Sequence, residues 1–340
     1  MLTQETRFDT VDTEGDHSSA VALRTLWLPS ALPNVRPKAL LALLALGATW
    51  GASFLFIKVI VEETSPLEVA QGRMFFGALA VGAVLAVRRT RPRWERSLWA
   101  KVAVWTLVTV VIPFILIAWA EQHIASGTAS VLNSTMPLFT TLFAAAFLIE
   151  EQITPVRGAG LVVGFLGVMV LTGGDVYNIR DSSVLGQFAV VGAAACYGIG
   201  SVYGRTLLRR EDPLALSAGQ LLVGSLLVLP LLLAVRGVPD YSLSVEAWLS
   251  LLALGILGSG FAFVVYLWLV DNVGSVRSSL VTYIMPVVGL FLGWAVLDES
   301  IGVNTTLGAA LIIAGVAAVM RGQAPSSQRL PVAADATGAD

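Results

Sequence analysis

Charge is what this chain has least of. Of its 340 residues only 13% are charged, while 56% are hydrophobic and the mean hydropathy is +0.79; an ordinary soluble domain carries about 25% charged residues. So few charges cannot coat a water-soluble globule of this length. A single cysteine, Cys196, excludes an internal disulfide, and two histidines, His17 and His123, cannot build a histidine-rich metal site. No cofactor is implied. The net charge is -2 and no basic stripe of the kind nucleic acid needs is visible. The opening stretch MLTQETRFDTVDTEGDHSS is polar and acidic, unlike a secretory signal.

What the chain has instead is a succession of apolar segments about 20 residues long, each able as a helix to cross roughly 30 Å of hydrocarbon. Apolar windows between polar breaks predict ten spans, at 39–61, 67–87, 99–119, 127–149, 157–174, 185–205, 214–234, 246–270, 276–297 and 304–321. The fold class this implies is all-α integral membrane, with lipid as its surrounding partner. Residues 1–37 and 322–340 are small, polar and poor in aromatics, and read as disordered tails. Lys and Arg stay preferentially on the cytoplasmic side. Arg88, Arg89, Arg91, Arg93 and Arg96 follow the second span. With Arg157, Arg205, Arg209, Arg210, Arg277 and Arg321 they make every second junction basic, while the alternate junctions hold only Arg180 and Arg236. Both termini are expected in the cytoplasm, around a cytoplasmic (inner or plasma) membrane.

The second half repeats the first. At an offset of 149 residues Trp99 falls on Trp248, Trp119 on Trp268, Met136-Pro137 on Met285-Pro286 and Glu150 on Glu299. At an offset of 147 Trp50 falls on Tyr197, Gly51 on Gly198, Lys58 on Arg205, Pro66 on Pro213 and Gly72 on Gly219. Two units are expected, residues 38–177 and 178–321, each of five spans. Five is odd, so the second unit enters the membrane upside down. Inverted repeats are the architecture by which many secondary transporters obtain two related conformations, one open to each side.

Pro137 and Pro286 fall near the middle of the fourth and ninth spans, where each would free the carbonyl four residues back, on Asn133 and Thr282. Such a defect suits a bend or hinge, or a cavity wall. Hydroxyls nearby (Ser130, Ser134, Thr140 and Thr141; Ser278, Ser279 and Thr282, beside Tyr283) offer the plainer alternative of re-satisfying the backbone. Trp50, Phe54 and Lys58 share one helix face, as do Tyr197, Ser201 and Arg205; an aromatic–polar–cation stripe fits a cavity wall, and the two cations also fit snorkelling to an interface. Arg73, inside the second span near Glu68 and Gln71, must be paired within the protein or bind a substrate carboxylate or phosphate. Glu121, Glu150, Asp271 and Glu299 are candidates for a coupling proton, with Glu121 and Asp271 foremost; at span ends they are expected to stay hydrated. The tryptophans at span ends fit an aromatic belt. The pairs Gly47/Gly51, Gly160/Gly164, Gly200/Gly204 and Gly289/Gly293 fit close helix packing.

The stretches TWGASFLFIK, Pro66 and Arg73, ASVLNSTMPLFTTLFAAAFLIEE and its degenerate copy SSLVTYIMPVVGLFLGWAVLDES resemble the EamA branch of the drug/metabolite transporter superfamily. The resemblance covers residues 38 to 321. It implies two inverted five-helix repeats around a central cavity, and movement of small metabolites such as amino acids by a carrier cycle without ATP. It departs where Gln220 stands in place of Arg73 and Tyr197 in place of Trp50. The reading that follows is a secondary carrier, with export favoured over import. Trp50, Arg73, Asn133, Tyr197 and Tyr283 would contact the solute, and protons are the default coupling ion. An intramembrane lipid-modifying enzyme would need clustered His, Cys or paired carboxylates at depth, which the spans lack. A sensor or scaffold would need ordered tails carrying partner motifs. Cysteine labelling tests the threading. In a Cys196→Ser background, Glu150→Cys and Glu299→Cys are expected to react with an impermeant maleimide from opposite sides; reaction from one side refutes the inverted repeat.

Overall fold

The computed structural model describes residues 37–89, 96–148, 151–173, 181–207, 211–238 and 241–321. The two tails lie outside them. Among the described residues nine helices are long and apolar enough to cross a membrane and a tenth is shorter. In chain order these spans are Pro37–Val61, Pro66–Val87, Ser97–Glu121, Ser126–Phe147, Pro155–Thr172, Ser182–Gly204, Pro213–Arg236, Val245–Val270, the shorter Val281–Leu297, and Val303–Arg321. No strand occurs among the described residues. In hydrocarbon only helices and closed barrels satisfy every backbone polar group, so the apolar segments have one solution.

Local chemistry sets the ends. Ser65 and Glu68 form a reciprocal capping box before the second span, and Thr154, Asp212 and Ser244 cap the fifth, seventh and eighth with their side chains. Pro66, Pro155 and Pro213 occupy first turns, where a missing N–H costs nothing. Gly173, Gly237 and Gly274 end three spans at positive φ (73°, 79° and 85°), a conformation glycine adopts without strain.

Four spans are irregular. The third runs as α-helix to Thr106, as a π-helical segment over Leu107–Val111, and as α-helix again from Ile112. The eighth carries a longer π segment, Ala253–Phe261. At the repeat offset the first segment falls within the second, so this irregularity is duplicated. The fourth span is broken rather than bent: one helix ends at Asn133 and the next begins at Met136. Pro137 therefore sits in the first turn of a new helix, not inside a kinked one. In the ninth span a four-residue helix, Ser275–Ser278, precedes Val281–Leu297, and Pro286 lies within the latter. The two prolines are equivalent in sequence, yet the breaks beside them are not. In the first copy the break directly precedes the proline; in the second it lies a turn and a half upstream.

Contacts between the halves recur in exchanged form. A Cβ on Gly51 would lie 2.7 Å from that of Val288, and one on Gly198 would lie 2.8 Å from that of Phe139. Likewise Gly258 meets Ser53 while Gly200 meets Thr109, and Gly77 meets Gly255 while Gly224 meets Thr106. Each second pair is the repeat-equivalent of the first with the halves swapped, as expected of two copies related by a pseudo-two-fold axis. The fifth and tenth spans cross backbone to backbone: a Cβ on Gly160 would sit 2.8 Å from the Gly315 carbonyl oxygen, and one on Gly167 would sit 2.7 Å from the Ile312 nitrogen. A side chain here forces the helices apart. Gly160→Val is expected to cost about 1–3 kcal/mol by overpacking, lowering the melting temperature in detergent. Gly82→Val, at a glycine with open space around it, should leave the melt unmoved.

Candidate functional site

The π segment of the eighth span organises the centre. A π turn shifts the i→i−4 bonding pattern and leaves groups available to other partners. Trp50 of the first span donates its indole N–H to the Gly258 carbonyl at 3.1 Å, and Arg73 of the second donates from Nε to Ser259 Oγ at 2.9 Å. Consecutive residues of one segment thus hold two predicted site residues. The approach is possible because Gly258 lacks a side chain: a Cβ there would fall 2.9 Å from Ser53 Oγ. Phe263 and Tyr266 flank the Trp50 ring, with centroids at 6.5 and 5.6 Å.

Arg73 lies about 10 Å along the second span from its start and is 9% exposed. Its guanidinium carbon stands 3.8 Å from the centroid of the Phe114 ring, a cation–π contact. Neither predicted neighbour pairs with it. Glu68 is occupied by its own cap, accepting from the backbone N–H and Oγ of Ser65 at 2.9 and 2.6 Å. Gln71 donates to Ser225 Oγ at 2.8 Å. Among the described residues no hydrogen bond reaches Nη1 or Nη2 of Arg73. Its electrostatic partners are the Tyr197 hydroxyl and the Glu121 carboxyl group. Trp50, Arg73 and Tyr197 are therefore gathered at one centre. Phe114 and Ser259 join them, and only their setting gives them away: Pro113 after one π segment, and the glycine-rich run LGILGSGF in the other.

The other half builds the same crossing without charge. Gln220, the equivalent of Arg73, donates to Thr109 Oγ1 at 2.6 Å, and Trp105 donates to the Gly200 carbonyl at 3.0 Å. The remaining predicted residues stand apart. Tyr283 turns its hydroxyl to Met320 Sδ at 3.1 Å, in the tenth span. Asn133 ends the first half of the fourth span, 8% exposed, and its Oδ1 is buried with no partner among the described residues. The hydroxyls around the breaks follow the plainer reading: Ser130, Ser134, Thr135 and Thr282 donate to backbone carbonyls three residues back.

Side-chain caps supplied by distant segments close the face that carries the junctions after the odd-numbered spans. Glu299 accepts from the backbone N–H of Ser126 at 2.6 Å and of Gly127 at 3.0 Å, capping the fourth span. Lys58 donates to the carbonyls of Glu121 at 2.6 Å and Ile124 at 3.4 Å, capping the third. Glu63 accepts from the Ser244 N–H at 2.7 Å, and its hydrogen bonds with the Ser244 side chain and backbone hold its carboxyl below the usual range. Lys58 therefore neither lines a cavity nor snorkels. Glu121 departs furthest from expectation. It is fully buried, not hydrated, and neither carboxyl oxygen has a partner among the described residues. Glu150 and the side chains of Asp271 and Arg205 lie outside the described residues. Removing the cap in Glu299→Ala is expected to cost about 1–2 kcal/mol, read as a lowered melting temperature, with Glu299→Gln between it and the parent.

With this geometry in place, comparison with known proteins gives concordant matches. The EamA-like transporter family model matches twice, over residues 37–173 and 184–321. A Bacillus subtilis protein named uncharacterized transporter YoaV is 29% identical over 279 residues, covering 82% of this chain and 95% of its own length. The Escherichia coli (strain K12) uncharacterized inner membrane transporter YedA is 26% identical over 282 residues, 83% of this chain and 90% of its own. A Streptantibioticus cattleyicolor protein named "Probable terminal-alkyne amino-acid exporter" is 28% identical over 289 residues, 84% and 94% of the two chains. A solved crystal structure aligns with a TM-score of 0.61 at 21% identity, over 84% of this chain and 98% of its own, a likeness of fold.

Proposed function

The chain belongs to the EamA-like transporter family, and from that premise we propose that it is a secondary-active carrier that exports amino acids or closely related small metabolites by alternating access. Its units are residues 38–177 and 178–321, both tails face the cytoplasm, and Arg73 holds the carboxylate of the solute. The observation that carries this reading is the state of Arg73. Its Nε donates to Ser259 and its plane is braced on Phe114, while Nη1 and Nη2 donate to no acceptor among the described residues. A desolvated guanidinium whose fork is left open suits one planar anion, and a buried arginine in a membrane span is functional unless paired.

Trp50 and Tyr197 complete the aromatic wall around that anion. Asn133, with its unpartnered amide oxygen, and Tyr283, from the ninth span, contact the rest of the solute once the bundle rearranges. The exporter name of the Streptantibioticus cattleyicolor relative supports both the direction and the solute class. In the conformation described, the three caps close one face. Opening that face requires the first span to let go of the third and eighth and the fourth to let go of the ninth, and the irregular turns near Pro137 and Pro286 give the fourth and ninth spans places to bend.

Counterflow in proteoliposomes with a panel of radiolabelled amino acids tests this. Loss of a charge-assisted hydrogen bond is worth about 1.5–3 kcal/mol, so Arg73→Gln should lower apparent affinity on the order of 10- to 100-fold. Arg73→Lys, which keeps the charge but not the fork, should fall between. Unchanged rate and affinity in both Arg73→Ala and Asn133→Ala would show the solute site to be elsewhere.

A further inference from the structure

We propose that Glu121 is the proton-binding group of this carrier, and that it carries a proton while the face above it is closed. This rests on the carrier reading above. Glu121 ends the third span with no exposed surface, and neither Oε1 nor Oε2 has a hydrogen-bond partner among the described residues. Removing a carboxylate from water costs several kcal/mol even after relaxation, and only donors or a close cation offset that cost. No donor among the described residues reaches either oxygen, and the two nearby cations, Lys58 and Arg73, act on the carboxyl group only through space. The neutral acid avoids most of the penalty.

The charged and titratable groups around it are each committed elsewhere. From the first span, the Lys58 ammonium points at the backbone carbonyls of Glu121 and Ile124, not at the carboxyl group. From the second, Arg73 is anchored on Ser259 and Phe114 and acts on Glu121 only at a distance. Tyr197 of the sixth span reaches the cluster through Arg73. His123, in the turn that follows, engages the Trp119 carbonyl at 2.9 Å and lies tilted against the Trp119 ring, with centroids 4.6 Å apart. Glu299, just beyond the ninth span, places a second carboxylate near Glu121 and is itself held by Ser126 and Gly127. A neighbouring carboxylate opposes a second negative charge.

The same groups control access. Lys58 holds the carbonyls of Glu121 and Ile124 and Glu299 holds the N–H groups of Ser126 and Gly127, so the turn that follows the acid is tied down from both ends. The proton has no route to that face until both caps release. Once they do, Lys58 is freed from the carbonyls beside a carboxyl group newly in contact with water. The acid gives its proton to water and the resulting carboxylate pairs with the ammonium. Reclosure breaks that pair, and the acid takes its next proton from water of the opposite face, which the alternating cycle then opens. One proton thus crosses the membrane per cycle, released at one face and taken up at the other.

Infrared spectroscopy of the purified protein in lipid nanodiscs tests the proposal without any solute. The parent should show the carbonyl stretch of a buried neutral carboxylic acid, slow to shift in D2O. That band should be lost in Glu121→Gln and kept in Glu299→Gln. In proteoliposomes, the ratio of amino-acid transport with a pH gradient to transport without one should fall to unity in Glu121→Gln and stay above unity in Glu121→Asp. Absence of an acid band that depends on residue 121, or an unchanged ratio in Glu121→Gln, overturns the assignment. If Glu121→Gln is wholly inactive the infrared result still decides. If the parent carries no amino acid of the panel, the carrier reading of the solute fails by itself, and the band still reports on Glu121.

Discussion

Every backbone N–H and carbonyl inside hydrocarbon must find a partner within the protein, because no water is there to take it. The rest of this structure follows from how that constraint is met. Helices meet it for most of the described residues. Side chains add to this: the Trp50 indole of the first span takes the Gly258 carbonyl in the π segment of the eighth, the Trp105 indole takes the Gly200 carbonyl of the sixth, and serine and threonine hydroxyls beside the break of the fourth span take carbonyls three residues back in their own span. At one face the same need is met by charge, with Lys58 on the carbonyl end of the third span and Glu299 on the amide end of the fourth. At that face the groups that satisfy the backbone are also the groups that tie one span to another.

Duplication supplies symmetry, and a few substitutions break it usefully. The two halves meet through equivalent small-residue crossings, Gly51 with Val288 and Gly198 with Phe139. Charge does not follow that symmetry. Arg73 faces one π segment and the neutral Gln220 faces the other. The duplicated fold thus carries one arginine at this pair of equivalent positions, with a neutral amide at the other. Glu121 has no acidic counterpart either, since Val270 stands at its equivalent position.

The sequence by itself determined the all-helical membrane fold, the ten spans and the duplication. These rest on composition and periodicity, and the lipid environment leaves few alternatives for apolar segments of that length. It also marked Trp50, Arg73 and Tyr197, because aromatic rings and a cation in apolar runs stand out without any partner in view. Only the tertiary structure decided what those residues do. Arg73 seemed placed to pair with Glu68, but that carboxylate closes a cap within its own turn. Glu121 stood at a span end, where hydration is the natural expectation, yet the first and fourth spans and Glu299 cover it. Pro137 and Pro286 are identical in sequence context while one begins a helix and the other lies inside one. The physical reason is common to all three. Burial and hydrogen-bond partnership depend on which of several candidate partners a side chain meets, from the cap three residues from Glu68 to Glu299, 173 positions from Ser126, and one-dimensional periodicity carries no record of that choice.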